Sequence, residues 1–295
     1  MSRIVANLLL VLTAFIWGTA FVAQSVGMDH LEPFTFNSIR NFIGALALLP
    51  VIAVMRRGKP KPSRTERRAT WLGGLCCGLV LFAASNFQQF GIVYTTAGKA
   101  GFITALYIVL VPVCGLLLGK RVKLQIWAAV ALAAAGLYLL CIQEDFSIGL
   151  GDLLVLVCAF LYTLHILVID HFSRTADCVK MSCIQFLVGG VLAGFGMLIF
   201  ETPRVPNITA AWLPILYTGL LSSGVAYTLQ IVTQKHTDPT VASLLMSLES
   251  VFAVLAGWLV LNESFTAREM GGVVLMFTAI VLAQVRIGRR KPIEG

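Results

Sequence analysis

The sequence predicts an all-α integral membrane protein: ten transmembrane helices arranged as two inverted five-helix repeats. Three observations carry that prediction. Of 295 residues, 58% are hydrophobic and only 12% charged, against about 25% charged in a typical soluble domain. The mean hydropathy is +0.88, and the charges lie between apolar runs of about 20 residues, the length that crosses a bilayer as a helix. The chain also repeats itself: Ala97 to Arg121 returns as Pro239 to Glu263, 142 positions later.

In that overlay Ala100 falls on Ala242, Leu106 on Leu248, Val109 on Val251, Gly115 on Gly257 and Leu117 on Leu259. The preceding stretch agrees: Trp71-Leu72 falls on Trp212-Leu213, Gly78-Leu79 on Gly219-Leu220, Gln89 on Gln230 and Thr96 on Thr237. Polar and aromatic coincidences of this kind are hard to obtain by chance. A duplication of this length fills the chain, giving a first repeat at 1–145 and a second at 146–295, the latter ending in a short basic tail.

Taken in order, ten segments have spanning length: 5–26, 34–55, 71–92, 98–119, 123–142, 150–170, 179–200, 212–233, 239–261 and 266–286. The first follows Arg3 as a signal peptide would, but it is too long and lacks a small-x-small cleavage site. It also has a partner, since Ala14-Phe15 before Trp17 matches Ala159-Phe160 before Tyr162. It is therefore expected to stay. In the fourth segment, Pro112 removes a backbone hydrogen bond and is expected to kink the helix; its partner Val254 carries no such hinge. In the ninth, Asp238-Pro239 reads as a helix start, with Asp at the N-cap and Pro at the first helical position.

Lys and Arg set the orientation. With the N-terminus cytoplasmic, 18 of the 22 basic residues fall inside, chiefly the block Arg56 to Arg68, Lys120 to Lys123 and the C-terminal tail. Lys99, Arg204 and Arg268 lie outside, where Asp29, Glu32, Glu144, Asp145 and Asp152 are also placed. Both termini are cytoplasmic in this reading of a multi-pass plasma (inner) membrane protein. Five helices per repeat is an odd number, so the second copy inserts upside down. Lys120-Arg121 accordingly ends one segment inside, while its partner Asn262-Glu263 ends another outside. Substrate binds near the midplane between such halves.

The net charge of +8 is thus a topology signal, and no nucleic-acid partner is expected. The seven Cys show no paired-ligand spacing, so neither metal nor disulfide is expected. No cofactor is expected either. The absence of a GxxxxGK[ST] pattern argues against ATP as the energy source.

FIWGTAFVAQ in the first segment, the Arg of SIRNFIGALAL in the second, AGKAGFITALYIVLVP in the fourth and SLLMSLESVFAVLAGWLVLNE in the ninth resemble the EamA-type members of the drug/metabolite transporter (DMT) superfamily. The resemblance covers almost the full length. It implies a five-plus-five inverted repeat and export of a small polar or amphipathic solute. That family more often carries Pro where this chain has Ser250.

Glu249 stands out chemically. An acid at mid-membrane depth costs about 2.5–3.5 kcal/mol on insertion scales, so it needs a cavity, a partner or a proton. It is a candidate proton-coupling or amine-binding carboxylate, or else a structural hydrogen-bonding group. Tyr107, its repeat partner, is expected in the same central space, with Thr104 nearby. Lys99 either holds a substrate carboxylate at the external mouth or snorkels to the interface. Asn86 and Gln89 share one helix face, as do their partners Tyr227 and Gln230, and are expected to line a polar cavity from opposite halves. Trp17, its partner Tyr162 and His165 complete the candidate substrate site. Arg40, with Asn37 and Asn41, is expected to be a structural clamp, and Glu263 a structural hydrogen-bonding group at the end of the ninth segment.

The function these residues indicate is secondary transport, with export of an amino acid or another small metabolite by alternating access. Proton-coupled efflux of drugs or lipophilic cations is the alternative, and a non-transporting membrane scaffold is a third. An enzyme is not expected, because no HExxH, paired acids or Ser–Lys arrangement is visible. The expected partners are a small-molecule substrate and the lipid bilayer.

Overall fold

The apolar runs fold, in a computed structural model, into helices that turn many of their large apolar side chains outward. The structure describes residues 1–58, 60–95, 97–119, 122–141, 149–261 and 266–284. Leu117, Leu198 and Val54 are 84%, 72% and 63% exposed, whereas Gln24, Asn37, Gln89 and Gln230 are buried. A water-soluble domain does the reverse. Here lipid is the solvent, so Leu and Val gain nothing by turning inward, while polar groups must find partners inside the bundle.

The helices are α1 (Arg3–Met28), α2 (Pro33–Arg56), α3 (Arg64–Tyr94), α4 (Ala97–Ala105), α5 (Tyr107–Leu117), α6 (Leu124–Cys141), α7 (Leu150–Ser173), α8 (Cys178–Phe200), α9 (Val205–Ala210), α10 (Trp212–Tyr217), α11 (Thr228–Gln234), α12 (Pro239–Met246), α13 (Glu249–Leu261) and α14 (Ala267–Gln284). A π-helical segment, Thr218–Tyr227, joins α10 to α11. There is no strand among the described residues. Eight helical stretches are long and apolar enough to cross a membrane: α1, α2, α3, Ala97–Leu117, α7, α8, Trp212–Gln234 and Pro239–Val260. The expected fifth and tenth segments contain the shorter apolar helices Leu124–Gly136 and Met270–Ala283.

Local chemistry fixes the helix starts. Asp238 caps α12 by accepting from the Thr240 N–H at 2.9 Å, with Pro239 at the first helical position. Ser63 caps α3 through the Glu66 N–H. The start of α2 is capped from a distance: Glu201, at the end of α8, accepts from the N–H groups of Phe34 and Thr35 at 2.8 and 2.7 Å. A carboxylate there is also favoured by the helix dipole.

The packing is built in matched pairs. α3 packs on α7 and on α8; α1 and α2 receive the stretch from α10 to α11 in the corresponding way. α4 and α5 pack on α7 as α12 and α13 pack on α1, while α2 pairs with α8 and α6 with α14. One contact is duplicated in detail. A Cβ on Gly78 would lie 2.6 Å from Val188 Cβ and 2.9 Å from the Gln185 carbonyl oxygen. A Cβ on Gly219 would lie 2.8 Å from Ile43 Cβ and 3.1 Å from the Arg40 carbonyl oxygen. Each crossing is as close as a missing side chain allows, the usual way helices associate where lipid supplies no hydrophobic drive.

The kink expected at Pro112 is not where the fourth segment breaks. The break lies at Leu106, between α4 and α5, and Pro112 sits inside α5. The second copy breaks at the equivalent place, Ser247-Leu248, between α12 and α13. Val254, the partner of Pro112, is an ordinary residue of α13, so proline is not the common cause. Both breaks tighten into i→i−3 bonds, from the Leu106 N–H to Ile103 and from the Leu248 N–H to Leu245. In the second copy Ser243 and Ser247 also turn their hydroxyls back onto backbone carbonyls, which bends helices.

Candidate functional site

The two breaks set Tyr107 and Glu249 at the first positions of α5 and α13, facing one central cavity. Tyr107 donates to Glu249 Oε1 at 2.8 Å, and both residues are buried. α13 can come this close to α1 because position 18 is glycine: a Cβ there would lie 2.6 Å from the Glu249 carbonyl oxygen and 2.5 Å from Phe252 Cβ. Ser250 donates to the Gly101 carbonyl at 3.0 Å, joining α13 to α4.

Around this pair lies a cavity of ≈ 30 Å³, room for a water or two. Its walls come from α1, α2, α3, α4, α5, α7, the π segment, α11, α12 and α13. Trp17 packs on Tyr227, with ring centroids 4.7 Å apart and planes tilted by 57°, and donates from Nε1 to the Ser222 carbonyl at 3.4 Å. Tyr162 and Tyr227 share a hydrogen bond of 2.9 Å between hydroxyls. Tyr162 also donates to Gln88 at 3.5 Å, and Gln88 in turn donates to Thr104 at 3.1 Å. Gln230 lines the cavity with a buried Oε1 that has no partner among the described residues.

Trp17, Thr104, Tyr107, Tyr162, Tyr227, Gln230 and Glu249 therefore meet at one place. Four other candidate positions lie elsewhere. Asn86 accepts from Asn37 at 2.9 Å and donates to the Phe82 carbonyl, tying α2 to α3. Gln89 donates to the Gln24 carbonyl at 3.4 Å, tying α3 to α1. His165 is fully buried behind the tyrosines, its Nε2 3.1 Å from Gln185 Oε1. Lys99 does not reach the cavity. It pairs at 2.6 Å with Asp152 on α7, which also accepts from Thr95 and the Gly149 N–H. Glu263 lies outside the described residues.

Arg40, expected as a clamp, lines the cavity itself, 4% exposed, with Nη1 donating to Gln24 Oε1 at 2.9 Å. Gln24, Gln88 and Ser222 also reach the cavity without having been expected there. Gln24 could have been found as the polar residue two turns along the Trp17 face. Gln88 was hidden by the π segment, whose wider turns rotate Tyr227 and Gln230 relative to their α-helical counterparts. The sequence overlay therefore points to Asn86 and Gln89, while the cavity takes Gln88.

A second, larger space of ≈ 460 Å³ opens at the end of the bundle that carries Arg56, Lys61, Lys180 and Lys235. Apolar packing separates the two. Val179 lines the larger space, and Phe186, of the same cluster, stands against Tyr227. The Lys99–Asp152 pair and the Glu201 cap lie at the opposite end.

The EamA-like transporter family matches the chain twice, over residues 4–142 and 149–284. An uncharacterized transporter of Archaeoglobus fulgidus is 33% identical over 289 residues, covering 97% of this chain and 88% of that one. The uncharacterized transporter YoaV of Bacillus subtilis is 25% identical, with 94% and 95% covered. A crystal structure with 19% identity shares the fold at a TM-score of 0.77, over 96% of this chain and 97% of that one. With apolar helices throughout and a polar cavity enclosed at their centre, the chain is a multi-pass membrane protein and belongs to the EamA-like transporter family.

Proposed function

We propose that this chain is a secondary transporter that exports an amino acid or another small metabolite by alternating access. Its ten membrane-crossing helices form two inverted repeats, 1–145 and 146–295, in the plasma membrane with both termini in the cytoplasm. The observation that carries the reading is the Tyr107–Glu249 bond inside the central cavity, at the breaks of two discontinuous helices. Discontinuous helices meeting at the repeat interface are where secondary transporters place their substrate. The matched helix pairs and the twin contacts at Gly78 and Gly219 support the repeat.

Small-molecule sites commonly enclose about 300–1,000 Å³, far more than the central cavity offers here. Entry of a metabolite therefore requires the surrounding helices to part. The larger space at the basic end supplies an approach from the cytoplasm, with Phe186 and its neighbours as the inner barrier. Glu249 then serves as the site where a proton and the substrate alternate. Comparing metabolites released by cells with and without overproduced protein, then testing each in reconstituted vesicles, examines the reading directly. Release of no solute above the control, with protein present in the membrane, refutes it.

Efflux of lipophilic cations is the second reading. The aromatic walls of Trp17, Tyr162 and Tyr227 beside a carboxylate favour it, since aromatic faces attract cations. Resistance to such cations on overproduction distinguishes it from metabolite export.

A further inference from the structure

Two ionisable residues, one acid and one base, line the central cavity without pairing. Glu249 is 3% exposed and Arg40 4% exposed. No ion pair joins them among the described residues. Glu249 is bonded by the Tyr107 hydroxyl. Arg40 donates from Nη1 to Gln24 and lies 5.7 Å from the centroid of the Phe36 ring. Its Nε–H is buried and has no acceptor among the described residues. A guanidinium serving only to clamp α2 to α1 would leave that donor unsatisfied, which is costly for a buried charged group.

The edge formed by Nε and an Nη is one of the faces on which guanidinium takes a carboxylate through two parallel bonds. We infer that Arg40 is the carboxylate-recognition residue of the site, and that the cavity selects molecules carrying both a primary amine and a carboxylate. This rests on the export reading above and narrows it. The ammonium goes to Glu249 and the faces of Trp17 and Tyr227; the carboxylate goes to Arg40. A ligand bridging the two satisfies both buried charges at once. A lone cation meets Arg40 as a like charge, and a lone anion meets Glu249. The site therefore discriminates by what it would leave unpaired, which is how polar sites reach high selectivity.

The test uses purified full-length protein in detergent and in vesicles. Thermal shift and equilibrium binding are measured for the common amino acids. For every binder the corresponding carboxamide and the amine lacking the carboxylate are compared, with tetraphenylphosphonium as a lone cation. The parent protein should bind at least one amino acid about tenfold or more tighter than its amide and amine. Arg40→Gln should bring the acid-to-amide ratio close to one, and Arg40→Lys should keep part of it. A change in folding alone shifts all three ligands together and leaves that ratio unmoved.

Amide and acid binding equally to the parent would overturn the inference, as would binding of tetraphenylphosphonium alone or of no member of the panel. A selectivity unchanged in Arg40→Gln would also overturn it. The two proposals fail separately. Export of some other solute with no amino acid bound leaves the transport reading standing and removes this one. Selective binding without movement across vesicles does the opposite.

Discussion

Tyr107 and Glu249 occupy equivalent positions of a duplicated segment, and their side chains are bonded to each other at 2.8 Å. The duplication thus brings its two copies together at one point, where the first carries a phenol and the second a carboxylate. Their roles differ accordingly. In the proposed cycle Glu249 gains and loses the coupling proton, while Tyr107 supplies the donor that orients it.

Glu249→Gln keeps the size and hydrogen-bonding capacity of the side chain but removes the exchangeable proton. The variant is expected to insert normally and to lose pH-gradient-driven accumulation in inside-out vesicles while retaining substrate exchange. Accumulation that responds to the gradient as strongly as in the parent would exclude a coupling role.

Tyr107→Phe deletes one buried membrane hydrogen bond, worth about 0.6 kcal/mol on average. The expected effect is a roughly threefold weaker substrate affinity with gradient coupling intact. Binding isotherms beside gradient-driven uptake separate the two effects.

Valine at Gly78 or at Gly219 forces apart helix crossings that leave no space for a side chain. Each substitution should cost about 1–3 kcal/mol through overpacking, seen as a lower Tm in detergent. Leu198→Val, on the lipid-facing surface, serves as the control and should be nearly neutral.

Lys99 and Asp152 fasten α4 to α7 at the end opposite the basic residues. Lys99 is 36% exposed in its side chain, so the pair is worth about 1 kcal/mol or less. Lys99→Ala should raise the labelling of a cysteine placed at Ala20, in the cavity wall, from outside the cell by roughly fivefold. Exchanging the two charges, Lys99→Asp with Asp152→Lys, should restore the slow rate. A rate that ignores both changes would show that the pair does not hold this end closed.

Cysteines at Ser63 and Thr202, both exposed loop residues, are expected to label from opposite faces of intact cells in a Cys-free background. Labelling from the same face would contradict the assigned topology.

The class of protein and the helical segments were legible because lipid imposes a crude rule, long apolar runs separated by charge. Pairing Tyr107 with Glu249 was legible because duplication preserves register. Helix breaks were not. Pro112 is the conspicuous residue, yet the chain bends six positions earlier through a tightening of ordinary backbone bonds, as it does again at Ser247-Leu248. The π segment was equally hidden, since Thr218–Tyr227 carries nothing that sets it apart from an α-helix. Its rotation is why Asn86 and Gln89 serve as ties between helices while Gln88 meets the cavity. The partner of Lys99 lies 53 residues away on another helix, and only the fold shows that Asp152 meets it there.

The Lys99–Asp152 pair has a counterpart by register but not by chemistry. At the matching positions stand Val241 and Asn7, which cannot form an ion pair. In an inverted repeat with identical halves, tipping the molecule one way or the other is the same movement seen from opposite sides, and neither tilt is favoured. Unequal latches break that balance. In the proposed export cycle, a clasp at the Lys99–Asp152 end with no equivalent at Val241 and Asn7 favours states closed at that end, so opening begins from the basic face.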